Sequence, residues 1–311
     1  MNSRYVLLTS AKDEQACIAE VIELVIRQSV LPEVWHIVDD GSSDRTAVIV
    51  AGYARKHPFI RLHGSGARGG RNFGSQYKAL QAAYELARPG EFEFIAVQDA
   101  DQAPAQADYY ERLMHAFERD PWLGMASGLV YERSGGVWRY RPSNSQRATA
   151  GSVVFRRACF EAIGGYTPLE YGGSDWLAQI HAKMAGWRVT TDPALHLLHY
   201  RPTSSAGGLW RGRWREGMMD ASFGTHPLFE GLKCARRMAS RPFVLGALTR
   251  LCGFLWWHLS GRPPVLPAET VACLRREQLS RLRRSGWRLH GRTDARPSAV
   301  NATQPQGKST A

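Results

Sequence analysis

Over its first hundred residues the chain alternates short apolar runs of strand character with segments whose apolar residues recur at helical spacing. That order restricts the fold more than any other feature, because parallel strands need a long crossover and a helix is the usual one. Residues 5–8 read as a first strand, and Ile18, Ile22 and Val25 then recur on one helical face. Residues 34–38 form a second strand, with Gly41-Ser42-Ser43-Asp44 supplying N-cap chemistry for the next helix. A shorter strand at 59–62, a helix at 76–87 and a strand at 93–97 follow. Tyr110, Leu113, Met114 and Phe117 give the helix after them its apolar stripe. The expectation is an α/β fold with a mostly parallel central sheet. From 124 to about 200 the pattern is mixed, with short strands at 126–131, 152–155 and 188–191 around a helix at 176–185.

In an open parallel sheet, ligands bind outside the carboxyl ends of the strands. Acids stand at those places. Asp39-Asp40 closes the second strand and Asp99-Ala100-Asp101 the fourth, while Asp175 lies in a glycine-rich loop, Tyr171-Gly172-Gly173-Ser174-Asp175-Trp176. Two aspartates one residue apart suit Mg2+ or Mn2+, which bind through one or two carboxylates, waters and substrate phosphates. A bare Asp-x-Asp is equally a turn after a strand.

The ordered set is far more specific. LLTSAKDEQ, VWHIVDDGSSDRT, FIAVQDADQAP, GSVVFRRACFEAIGGY, GGSDWLAQIHAKMAGWRV and HLLHYR together resemble glycosyltransferase family 2 over residues 4–201. The later GTHPLF and LRREQLSRL are similar to the C-terminal part of bacterial members associated with exopolysaccharide synthesis. The resemblance implies a GT-A nucleotide-binding fold, a nucleotide-diphosphate sugar as donor and Mg2+ or Mn2+ as cofactor. It implies inverting transfer to a hydroxyl of a glycan or lipid-linked acceptor in cell-surface polysaccharide synthesis. Asp39 and Asp40, with Thr9, Ser10 and Lys12, would hold the donor's base and ribose; Asp44 is expected to cap a helix instead. Asp99 and Asp101 would reach the metal and diphosphate, Asp101 as the direct ligand. Gly165, Tyr166 and Trp176 would shape the acceptor side, and Asp175 would be the general base. The family's acidic pair is here Ser174-Asp175, so only its second acid remains. His199 would be a further metal or phosphate contact, or else a hydrogen-bonded histidine near a strand end. Arg211 and Arg213, with Arg215, would clamp phosphates or face solvent or lipid. Processive members carry Gln-x-x-Arg-Trp; Trp210 stands at the Gln position before Arg213-Trp214, which argues against processive synthesis.

The chain of 311 residues carries a formal net charge of +12, which implies an acidic partner. Between Leu209 and Arg292 sixteen Arg or Lys face five acids, with Trp, Phe and Leu interleaved. The most apolar run, 243–259, is short for a spanning helix and contains Arg250, so it reads as lying on an anionic membrane surface or as a core helix. No zinc-ligand spacing, RNP motif or helix-turn-helix signature points to nucleic acid. Five scattered cysteines and a start without a charged-then-apolar leader suggest a cytoplasmic protein, peripheral at the inner membrane face. The expected organisation is a catalytic domain over 1–205, a basic, mainly helical region over 206–292 and a disordered tail over 293–311.

Two rival classes stand beside this reading. Gly64-Ser65-Gly66-Ala67-Arg68-Gly69 has dinucleotide-binding spacing, so an oxidoreductase is one, provided the glycines follow the first strand. A basic membrane- or nucleic-acid-binding protein without transferase activity is the other.

Overall fold

The computed structural model describes residues 4–66, 73–134, 136–140, 152–201, 208–238 and 243–284. The tail from 293 and the second half of the Gly64–Gly69 run lie outside them. The elements in chain order are β1 (Tyr5–Ala11), α1 (Ile18–Ile26), β2 (Val34–Asp39), α2 (Thr46–Ala54), β3 (Ile60–Gly64) and α3 (Phe73–Ala87). Next come β4 (Phe94–Val97), β5 (Gln102–Pro104), α4 (Tyr109–Arg119), β6 (Leu123–Ser134), β7 (Val137–Tyr140), β8 (Val153–Arg156), α5 (Arg157–Ala162), α6 (Ser174–Met184) and β9 (Arg188–His199). Four helices follow: α7 (Leu209–Ser222), α8 (Pro227–Arg237), α9 (Phe243–Leu259) and α10 (Ala268–Arg284).

One sheet runs β3-β2-β1-β4-β8-β6-β9-β5, with β7 hung on β6. Its first four strands pair in parallel; β8 then joins β4 in the antiparallel sense, and β6 pairs with β9 in parallel. Both faces are covered, so β4 and the first four residues of β1 are apolar and buried without interruption. β1 shows the alternation: Tyr5, Leu7 and Ala11 enter a core with α1, α2 and α4, whereas Val6 and Leu8 enter the opposite core with α3, α5 and α6. The order turns beside β1, where β2 lies on one side and β4 on the other. A crevice opens at such a reversal, outside the strands' carboxyl ends.

β6 and β9 are each 12 residues long, well beyond the short strands expected at 126–131 and 188–191. Their ladder breaks register between Gly128 and Leu129, skipping from Asp192 to His196. Pro193 lies in that skip and masks the strand pattern. The glycine run follows β3, an edge strand, while β1 leads into Lys12–Cys17, which has no glycine. A dinucleotide fold needs its glycines at that first turn, so the oxidoreductase reading fails on position.

Candidate active site

The loops after β1 and β2 are stitched together at the mouth of the crevice. Lys12 Nζ donates to the Asp40 carbonyl at 2.9 Å, and the Ser43 amide donates to Asp13 Oδ1 at 2.7 Å. The Glu14 amide donates to Thr46 Oγ1 at 2.8 Å. Asp44 accepts from the Thr46 amide at 2.9 Å, but the N-cap of α2 is Arg45 and carries no side-chain cap bond, so Asp44 fixes the turn before the helix and is not its cap. Asp39 accepts the Ser42 amide at 3.3 Å and its hydroxyl, and Asp40 Oδ1 accepts the Ser65 hydroxyl at 3.2 Å. Ser10 is half-buried beside them, but Thr9 departs from expectation. Its side chain is wholly buried and accepts the Trp35 indole at 3.0 Å, so it serves the core rather than a donor.

Asp99 and Asp101 follow β4. Asp99 is clasped: its two oxygens accept amides from Gln76 at 3.2 Å and Gln102 at 3.0 Å, and its own amide donates to Ser152 Oγ at 3.2 Å. Burial, then the charge of Asp101, pushes its carboxyl up to about 7, with Asp175 and Glu14 adding to the rise. Register supplies the next group. His199, the last residue of β9, pairs with Gln102 on one side and Glu132 on the other. Its Nε2 lies 3.4 Å from Asp101 Oδ2 and its Nδ1 3.6 Å from Glu132 Oε1, and Nδ1 is buried without a hydrogen bond. Burial pulls the imidazole's pKa down, but Asp101 and Glu132 outweigh it and hold it up at about 9. Arg201 pairs with Glu14 at the same end.

Asp175 lies in the first turn of α6, close enough for its charge to act on Asp99. The turn before it is left-handed at Gly172 (φ 89°) and Gly173 (φ 91°). A Cβ on Gly173 would also fall 2.8 Å from the Phe223 ring, so only glycine fits. Ser174, standing where the family's first acid would be, is wholly buried with no partner for its hydroxyl. The Tyr77 and Tyr166 rings meet at 5.0 Å, tilted by 44°. Burial and the nearby charges of Asp175 and Asp99 raise both hydroxyls well above their usual 10.

Asp99, Asp101, His199, Tyr166 and Asp175 are therefore neighbours, as the sequence suggested. Gln76, Gln102, Ser152, Glu132 and Tyr77 were missed, although Gln102 directly follows the Asp-x-Asp motif. Two expected contacts are otherwise engaged. Trp176 stacks on Phe223 at 5.1 Å and 13°, joining α6 to the C-terminal helices, and Arg213 is bound by Glu216 at 3.0 Å. Arg211 is exposed on α7 and Gly165, at φ 70°, turns the chain after α5. Among the described residues no three His, Cys, Asp or Glu converge as a complete metal cage.

The crevice, its strand-end acids and the covering helices are those of a GT-A glycosyltransferase. Residues 7–173, more than half of the chain, match the profile described as Glycosyl transferase family 2, and the chain belongs to that family. Solved structures agree in fold. The mannosyltransferase PcManGT from Pyrobaculum calidifontis, in complex with GDP-Man and Mn2+, is similar with a TM-score of 0.56 and 16% identity, over 93% of this chain and 89% of that one. S. aureus TarS 1-349 in complex with UDP-GlcNAc gives 0.51 and 12%, over 87% and 78%. GalNAc-T7 with UDP, GalNAc and Mn2+ gives 0.51 and 14%, over 71% and 50%. No curated protein matches the sequence.

Proposed function

We propose that this transferase moves a sugar, with inversion, from a nucleoside-diphosphate donor to a hydroxyl of a glycan or lipid-linked acceptor in cell-surface polysaccharide synthesis, at the inner membrane face. The observation that carries the reading is the convergence of Asp99, Asp101, His199 and Asp175 beside the carboxyl end of β4. Donors such as those held by the GDP-Man and UDP-GlcNAc complexes suit the cleft beside Lys12, Asp39 and Asp40.

The residues fit a hard cation. Each oxygen of Asp99 already accepts an amide, which favours Asp101 as the direct ligand and Asp99 as its support, with His199 as the second ligand once it has lost its proton. Mg2+ or Mn2+ held there would offset the charge that builds on the departing nucleoside diphosphate. Asp175 does the proton chemistry. Its carboxylate takes the proton from the acceptor hydroxyl as that oxygen bonds to the anomeric carbon. The carbon–oxygen bond to the diphosphate breaks in the same event, and its electron pair leaves with the phosphate. Attack from the face opposite the leaving group inverts the centre.

Asp175→Asn removes the base and keeps the side chain's size. Transfer is expected to fall by roughly 100- to 10,000-fold, the range general-base loss commonly costs. Donor affinity, measured by calorimetry, should stay within about twofold. Near-normal turnover would remove Asp175 from the mechanism.

A further inference from the structure

α9 is divided by angle into two unlike faces. Gly246, Ala247, Arg250, Gly253, Phe254 and Trp257 are buried. Leu245, Leu248, Leu255, Trp256 and Leu259 are 43–84% exposed. At 3.6 residues per turn the exposed set falls within an arc of about 100°. The inner face is already committed at backbone distance: a Cβ on Gly217 would fall 1.9 Å from the Arg250 carbonyl, and one on Gly253 2.3 Å from that of Trp214. Small shifts of the helix therefore do not bury the outer stripe. α7 widens it with Trp210, 50% exposed, and Trp214, whose ring lies 6.4 Å from that of Trp256. Soluble monomers rarely leave so continuous an apolar surface without a use for it.

Charge and length select the occupant. Between Glu230 and Glu269 the chain has six basic residues and no acid; Lys233, Arg237 and Arg250 among them are paired with Glu216, Asp220 and Glu230. Arg236 and Arg262 are exposed at the rim, Arg262 with its guanidinium 5.4 Å from the Trp257 ring. A second copy of the chain would set this basic rim against itself. No described helix is long and apolar enough to cross a membrane, and α9 holds Arg250 at its middle among Glu216, Asp220 and Glu230. An apolar stripe, tryptophans beside it and a cationic border match a helix lying in the plane of a lipid headgroup layer.

We infer that the outer face of α7 and α9 is the surface by which the protein docks on an anionic bilayer leaflet, entering the headgroup region without spanning. The inference rests on the reading of a lipid-linked acceptor. It adds the surface responsible and its relation to the site: on the other side of α9, Trp257 meets Tyr171 edge-on at 5.8 Å, in the loop that leads to Asp175. α9 thereby ties the docking face to the loop that leads to the base, one helix diameter (~10 Å) away.

Vesicle flotation of the full chain tests this, with phosphatidylcholine alone and with phosphatidylglycerol added. The wild type should float with the anionic vesicles, and less so at high salt. Leu248→Asp/Leu255→Asp should lower partition at least about tenfold, since each carboxylate would have to enter the apolar layer. Arg236→Glu/Arg262→Glu should lose the preference for anionic lipid. Nucleotide-sugar binding is read on the same samples: unchanged binding in the variants shows that they are folded, and absent binding in the wild type strikes at the transferase reading alone. The inference is overturned if the wild type floats with neither vesicle. It is equally overturned if the wild type sediments as a dimer that Leu248→Asp/Leu255→Asp converts to a monomer.

Discussion

His199 sits between two carboxylates that keep it protonated up to about pH 9. An imidazolium cannot ligate a metal, so a cation that uses His199 must displace its proton. Asp99, raised to about 7, titrates in the same sense: the free site holds protons that a cation drives off. Metal affinity should therefore rise from about pH 6.5 to about pH 8.5, with roughly one proton released per ion near neutrality. Calorimetry in buffers of different ionisation enthalpy reads that proton directly. An affinity that stays flat over this range removes His199 from the ligand set. Asp99, Asp101 and Asp175 were legible in the sequence because each motif lies where the local pattern ends a strand or opens a helix. Gln76, Ser152 and Glu132 were not, because tertiary pairing alone brings α3, β8 and β6 to Asp99 and His199. The packing of Thr9 and Trp176 was hidden for the same reason. Trp35 and Phe223, which take their side chains, lie 26 and 47 positions away in the chain.

The C-terminal helices are held by a buried ionic knot. Arg250 on α9 is 2% exposed and donates from Nε to Glu230 at 2.7 Å, and it also contacts Glu216 and Asp220. Lys233 reaches Asp220 at 2.8 Å. Removing one member of such a cluster strands its partners, which commonly costs about 3–5 kcal/mol. Arg250→Met keeps the volume and removes the charge. It is expected to lower the melting temperature by about 10 °C at neutral pH. Glu230 is already pushed up to about 7, by burial first and then by Asp220. Without Arg250 the stranded carboxylates bind protons more tightly folded than unfolded, so the folded state gains as pH falls. The deficit should thus be largest near pH 8 and shrink towards pH 5, as a series of melts would show; a deficit that does not change with pH would place the loss in packing. The helical character of this region was legible from the sequence, but the knot was not. Its members lie on α7, α8 and α9, and each alone reads as an ordinary surface charge.

At the scale of the molecule, the boundary near residue 205 separates sequence patterns and not two independent bodies. Leu169 and Leu177, beside the base, share one apolar cluster with Phe223, Leu266, Val271 and Leu274. A fragment ending at residue 205 uncovers Leu177 and the Trp176 ring, and exposing each large apolar side chain costs about 1.5–3 kcal/mol. The fragment should melt several degrees below the full chain and lose transfer more than donor binding, since the Gly173 turn loses Phe223. Equal melting and equal transfer would make the C-terminal helices an appendage.

The proposed transfer depends on a metal-dependent nucleotide-sugar site at Asp99, Asp101 and Asp175. The most direct measurement is binding and hydrolysis of a panel of nucleotide sugars by the full chain, with Mn2+ or Mg2+ and again with chelator, alongside Asp101→Ala. At least one nucleotide sugar should bind with metal, weaken by about tenfold or more in chelator, and bind Asp101→Ala equally weakly with or without metal. Binding that is indifferent to both metal and Asp101, or no binding across the whole panel, would contradict the assignment.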